Sequence, residues 1–202
     1  KPTTGSPPDD VTTITLSALL HGIGSAGDSV NPKNNSLSNK SPRTPTRLAT
    51  IAIIDGDDED IARTDGKLVF DEKTGKFQGQ FSFDTLVDDG EYSVLILTDS
   101  YLPFEKDVTI TYNTLNFGEV IFIAGDIVPD GTLDILDYNA LFDCGYGEEN
   151  ALPMDDPDSV FQSEACQKNE IPEASDLDDN GVIDSRDFNL FLRELSAQKV
   201  SN

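Results

Sequence analysis

One stretch of this chain occurs twice. Shifting the sequence by 50 residues lays DIVPDGTLDILDYN, from Asp126, over DLDDNGVIDSRDFN, from Asp176. Asp126 falls on Asp176, Gly131 on Gly181, Asp134 on Asp184, Asp137 on Asp187 and Asn139 on Asn189. Each copy is an acidic, glycine-centred turn followed by a short helical period: Tyr138, Leu141 and Phe142 after the first, and Phe188, Phe191, Leu192 and Leu195 after the second. A duplicated turn-helix unit constrains the last third of the chain more tightly than any other feature.

The acids are not scattered. Both copies follow a 12-residue loop with oxygen ligands at positions 1, 3, 5, 9 and 12, a backbone carbonyl at position 7 and glycine at position 6 for the sharp turn. The second copy fills the pattern with Asp176, Asp178, Asn180, the Val182 carbonyl, Asp184 through a water, and Asp187. The first offers Asp126, Asp130, the Thr132 carbonyl, Asp134 and Asp137, but Val128 stands at position 3 and Pro129 follows. A hard cation takes about six to eight oxygens. Two Ca²⁺ sites are therefore expected, the first weaker, with water replacing its missing ligand. Leu133 and Ile183, at position 8, interleave core with ligands, so metal binding and folding should be coupled. The alternative is a pair of solvated acidic loops that only cap two helices.

Charge points the same way. The chain carries 14 Lys+Arg against 38 Asp+Glu, net −24, and 19 of the acids but only 4 of the bases lie in residues 125–202. Such a surface repels nucleic-acid phosphates and anionic lipid, so neither is an expected partner. No apolar run is long enough to span a bilayer, and no membrane insertion is expected. The start at Lys1, without Met or a signal-like core, reads as a processed or excised soluble piece. Catalysis is thinly provisioned: the single histidine, His21, sits in LLHGIG with no nucleophile motif, and Cys144 and Cys166 lack a CxxC spacing. Carboxylate-pair chemistry such as glycoside hydrolysis would need the acids already assigned to the loops, and there is no Trp for sugar stacking. The chain is not expected to be an enzyme.

Ahead of the repeats the period is two. KPTTGSPPDD, residues 1–10, reads as a linker; Ile14, Leu16, Ala18 and Leu20 alternate along a strand; residues 22–46 form a long polar loop. Strand signals follow at 48–54, 68–70, 77–83, 92–97, 108–112 and 120–123, with Phe77, Phe81 and Phe83 on one face and Tyr92, Val94 and Ile96 on another. KTG after Phe70 reads as a hairpin turn. DGDDED, residues 55–60, reads as a solvated turn, because Asp60 stands where a metal loop needs glycine. About seven short strands at this spacing predict an all-β antiparallel sandwich over 11–124. A small α-helical module of paired, EF-hand-like calcium loops is predicted over 125–202.

Asp at position 12 in both copies, where helix-loop-helix sensors use Glu, together with the tandem arrangement in GDIVPDGTLDILDYNALF and SDLDDNGVIDSRDFNLFL, resembles the type I dockerin repeats of cellulosome-type proteins. The resemblance covers about residues 125–195. GEYSVLILTDSYLPFEKDVTI, within 85–123, resembles the carboxypeptidase-regulatory-like or immunoglobulin-like modules of bacterial surface proteins. The dockerin resemblance implies calcium binding, docking onto a cohesin-like partner module, and an extracellular or cell-surface setting for a chain monomeric in isolation. It also implies that positions 10 and 11 read the partner: Ile135 and Leu136 in one copy, Ser185 and Arg186 in the other. These unequal faces should favour one docking orientation, unless Ile135 and Leu136 pack inward. In such a setting Cys144 and Cys166, in the acidic insert 144–175, suggest a disulfide closing a loop of about 23 residues, worth ~3 kcal/mol by chain entropy; free thiols are the alternative.

Two functions compete. One is a non-catalytic, calcium-stabilised docking module. The other is a structural surface or adhesion module in which the calcium unit packs on the sandwich as a rigid spacer. Exposure of Ile135 and Leu136 separates them.

Overall fold

The computed structural model describes residues 11–23, 38–142 and 172–198. Among the described residues there are nine strands: β1 Thr12–Leu20, β2 Thr46–Ile54, β3 Asp60–Asp71, β4 Lys76–Phe83, β5 Gly90–Leu97, β6 Ser100–Tyr101, β7 Phe104–Ile110, β8 Thr114–Phe122 and β9 Ala124–Asp126. Helix α1 spans Ile135–Leu141, a 3₁₀ turn spans Pro172–Ser175, and helix α2 spans Ser185–Gln198.

Seven strands form one sheet in the order β7-β5-β2-β3-β4-β1-β8. All its pairs are antiparallel except β1 with β8, which run parallel with a register shift between Thr15 and Leu16. β7 and β8 are the two edges, yet they are consecutive in the chain and joined by a turn closed by the Thr111–Thr114 bridge. The sheet therefore rolls until it is nearly closed, with apolar side chains inside. Ile14, Ile51, Ile53, Leu68, Phe77, Phe81, Phe83, Val94, Ile96 and Phe122 are buried there. Two glycines make the fit possible. A Cβ at Gly66 or Gly79 would lie 2.6 Å or 2.5 Å from the Phe81 ring, so β3 and β4 are bare where that ring sits.

β3 also differs from expectation in length. The sequence signals only its end, residues 68–70, because its first two thirds, DIARTDGK, are mostly exposed and take their inner cover from Phe81. The KTG turn does join β3 to β4: Asp71 accepts backbone N–H bonds from Lys73 and Gly75, and Gly75 has φ of 67°. DGDDED forms a turn in which the Asp55 carboxylate accepts the N–H groups of Asp57 and Glu59. Where the polar loop returns, buried Asn39 bonds both the N–H and the carbonyl of Leu20 and closes it onto the end of β1.

The expected fold class, an all-β antiparallel sandwich followed by a small α-helical paired-loop module, is corrected on both counts. The main sheet is a single, mixed, rolled one, and the chain is predominantly β, with two α-helices among the described residues. Nor do those helices have a core of their own. Leu133, Ala140, Leu141, Leu177, Ile183, Leu190 and Phe191 belong to the same hydrophobic cluster as Ile14 and Phe77. Helices of 7 and 14 residues, each with one apolar stripe, bury too little area against one another and take the rest from the sheet. Alternation and turn spacing mark which residues are strand; they leave open which strands pair, and in what sense.

Candidate metal centre

β9 ends at Asp126 and pairs with β6 in a second, two-stranded sheet, so the first acidic loop is launched from the end of a paired strand. The second follows the 3₁₀ turn and starts at Asp176. In both, a carboxylate at position 12 ties the loop together. The Asp137 oxygens accept the N–H groups of Val128 and Asp134 at 2.9 Å each, while those of Asp187 accept Asp178 at 3.1 Å and Asp184 at 2.8 Å. Position 1 gathers the tip: Asp126 accepts Asp130 and Gly131 at 3.3 Å, and Asp176 accepts Asn180 at 3.0 Å and Gly181 at 2.8 Å. Position 9 caps the helix, Asp134 through the N–H of Leu136 and Asp184 through that of Arg186, both at 2.7 Å. Gly131 and Gly181 have φ of 79° and 88°, which explains glycine at position 6.

The second loop brings its acids together. Carboxylate oxygens of Asp176, Asp178 and Asp187 all lie within 4.8 Å of one another, and all three residues are buried. Among the described residues this is the single such convergence of three or more potential metal-ligating side chains. Asp178 Oδ2 is buried without a hydrogen-bond partner, as is the Asn180 amide nitrogen. The first loop lacks this convergence because position 3 carries the Val128 side chain, and Asp130 at its tip is exposed, its oxygen taken by the hydroxyl and N–H of Thr132.

The electrostatics follow the geometry. Burial, with like charge from Asp178 and Asp176, pushes the Asp187 carboxyl up to about 8 against two N–H bonds that favour its anion. Burial likewise raises Asp176 to about 6, and burial with the charge of Asp137 raises Asp126 to about 6. Burial raises Asp178 and Asp137 as well, whereas the bonds from Thr132 hold Asp130 below its usual range. Crowded, desolvated carboxylates with an orphaned oxygen are costly unless something positive enters. The donor set, three buried carboxylates from one turn, suits a hard divalent cation, so the residues of the second loop fit calcium.

The residues expected to read a partner are all exposed: Ile135 by 62% and Leu136 by 49% on the first turn of α1, and Ser185 and Arg186 on the first turn of α2. The rings of Tyr138 and Phe188 meet edge-on at 6.0 Å and tie α1 to α2. Cys144 and Cys166 lie outside the described residues. His21 is held by its Nδ1, 3.0 Å from Glu194 Oε2. Sequence reasoning missed the residues that join the second loop to the sheet: Asp179, Arg47 and Thr44. The available signal was an acid, Asp179, at a loop position that supplies no ligand.

No protein-family model matches the chain, and no curated protein matches it. Solved structures similar to the chain include two with these matches. One is a chain of a type II cohesin–X-dockerin complex from Acetivibrio cellulolyticus, a C-terminal interface mutant, with a TM-score of 0.49 and 17% identity over 91% of this chain and 94% of that one. The other is a chain of the corresponding N-terminal interface mutant, with a TM-score of 0.48 and 16% identity over the same shares. Identity at this level assigns no residue a role.

Proposed function

We propose that this chain is a non-catalytic, calcium-stabilised protein–protein docking unit of a cellulosome-type or cell-surface assembly. The observation that carries the reading is the buried convergence of Asp176, Asp178 and Asp187, with Asp178 Oδ2 reached by no hydrogen-bond donor. Calcium there would relieve the like-charge repulsion and hold α2 against the first helix and the sheet. Asp126, Asp130, Thr132, Asp134 and Asp137 would form a second, weaker site. The partner surface would be the exposed set Ile135, Leu136, Ser185 and Arg186 on the two helices whose loops calcium orders, so docking would depend on calcium indirectly. A cohesin-type module, the partner implied by the sequence resemblance of the loops, is the probe to use.

The rigid-spacer reading also has an observation in its favour, the single core shared by sheet and loops. It leaves the exposure of Ile135 and Leu136 unexplained. Capture by an immobilised cohesin-type module, with and without chelator, decides between them. Capture that needs both calcium and Ile135–Leu136 supports docking; binding indifferent to both removes it.

A further inference from the structure

The geometry points to Arg47 as a positioning residue for calcium in the second loop, acting through Asp179 from the far end of the sequence; this rests on reading that loop as a calcium site. Asp179 occupies loop position 4, which offers no ligand, yet it is buried and has φ of 56°, a conformation L residues seldom adopt. Its carboxylate is engaged with the sheet instead of the ligand set. Oδ1 lies 2.9 Å from Arg47 Nη2, and Oδ2 accepts the Thr44 N–H at 2.8 Å. One position on from Asn180, the Arg43 side chain lies 3.0 Å from where a Cβ of Gly181 would stand. The loop tip thus sits in a socket built from residues 43–47, where the chain enters β2. Asp178 and Asn180, ligands at positions 3 and 5, flank the clamped residue, so the socket sets the direction in which both project. Arg47 Nε is buried and unpartnered, so the guanidinium stays in this place with one donor unsatisfied.

Two effects of Arg47 oppose each other. Its positive charge, held on the second loop by Asp179, repels a divalent cation; its grip on Asp179 holds the ligands in register for one. Substitution separates them by sign. If charge dominates, Arg47→Met tightens calcium binding and Asp179→Asn weakens it. If positioning dominates, both weaken it, because either one opens the clamp.

The experiment is calcium titration by calorimetry on the whole chain, comparing wild type, Arg47→Met, Asp179→Asn, Arg47→Lys and Asp176→Ala. Asparagine at 179 keeps the shape and tolerates the positive φ. Loss of an outer-shell partner typically weakens a metal site about 10- to 100-fold, and a drop of at least about tenfold is expected in both clamp variants, with substantial recovery in Arg47→Lys and first-loop binding unchanged. Should Arg47→Met fail to fold, Arg47→Gln takes its place, with weakening again expected. Tighter binding on neutralising Arg47, or affinities equal to wild type, overturns the inference. If wild type and Asp176→Ala bind alike, the calcium reading itself fails, and the inference falls with it.

Discussion

The two acidic loops share a hydrogen-bond plan almost bond for bond, but they stand in different surroundings. In the first, residues 129–132 face solvent, position 3 is Val128, and Gly131 lies against Pro103 at 3.4 Å or more from a would-be Cβ. In the second, residues 176–179 and Gly181 are buried, position 3 is Asp178, and the tip is gripped by Arg47 and Thr44. The difference teaches that a ligand pattern sets what a loop can hold, while burial sets how strained it is when empty. Three converging carboxylates out of water make the second loop the more demanding of a cation.

Removing metal should break the comparison most clearly. At calcium about 100-fold above the dissociation constant, binding to the native state contributes ~2.7 kcal/mol, so chelation should lower the melting temperature by that equivalent. Asp176→Ala should abolish most of this shift, and Asp126→Ala little of it, in thermal melts with and without chelator. Equal effects of the two would erase the distinction between the loops.

Acidity sharpens it next. In the metal-free protein the raised carboxyls favour their neutral forms, so the folded state holds protons that the unfolded chain, with carboxyls near about 4, has lost. Their stabilisation is full below about pH 4 and is lost as pH rises through the folded values, about 6 for Asp126 and Asp176 and about 8 for Asp187. Chelated protein should therefore melt lower at pH 8 than at pH 5. Asp187→Asn should flatten that slope more than Asp126→Asn, and calcium should remove it.

Val128→Asp restores the missing position-3 oxygen to the first loop. Calorimetry should show first-loop affinity rising on the order of tenfold, about 1.4 kcal/mol. No gain would mean that solvent exposure, and not ligand count, limits that site. The smallest contrast is the difference between the two loops' glycines. Gly181→Ala and Gly131→Ala should each cost about 1–2 kcal/mol for left-handed backbone, with Gly181 the costlier because its new Cβ meets Arg43. Urea melts of both variants measure the difference.

Much of the site could be read in the sequence and rather less of the fold. The duplicated spacing singled out Asp176, Asp178 and Asp187, whose carboxylates do come together, because side chains within one tight 12-residue turn can reach a common point; it passed over Asp179. Alternation likewise located the inward-facing residues Ile14, Phe77, Phe81 and Val94. Neither signal could show that β1 pairs in parallel with β8, that the sheet rolls shut, or that the helices share its core. Those outcomes depend on contacts between distant segments competing for the same apolar surface, and hydrophobic attraction does not specify a partner. The same holds for the clamp on Asp179. Its acid is visible in the loop, but Arg47 becomes its partner only when folding brings β2 against a turn more than a hundred residues away.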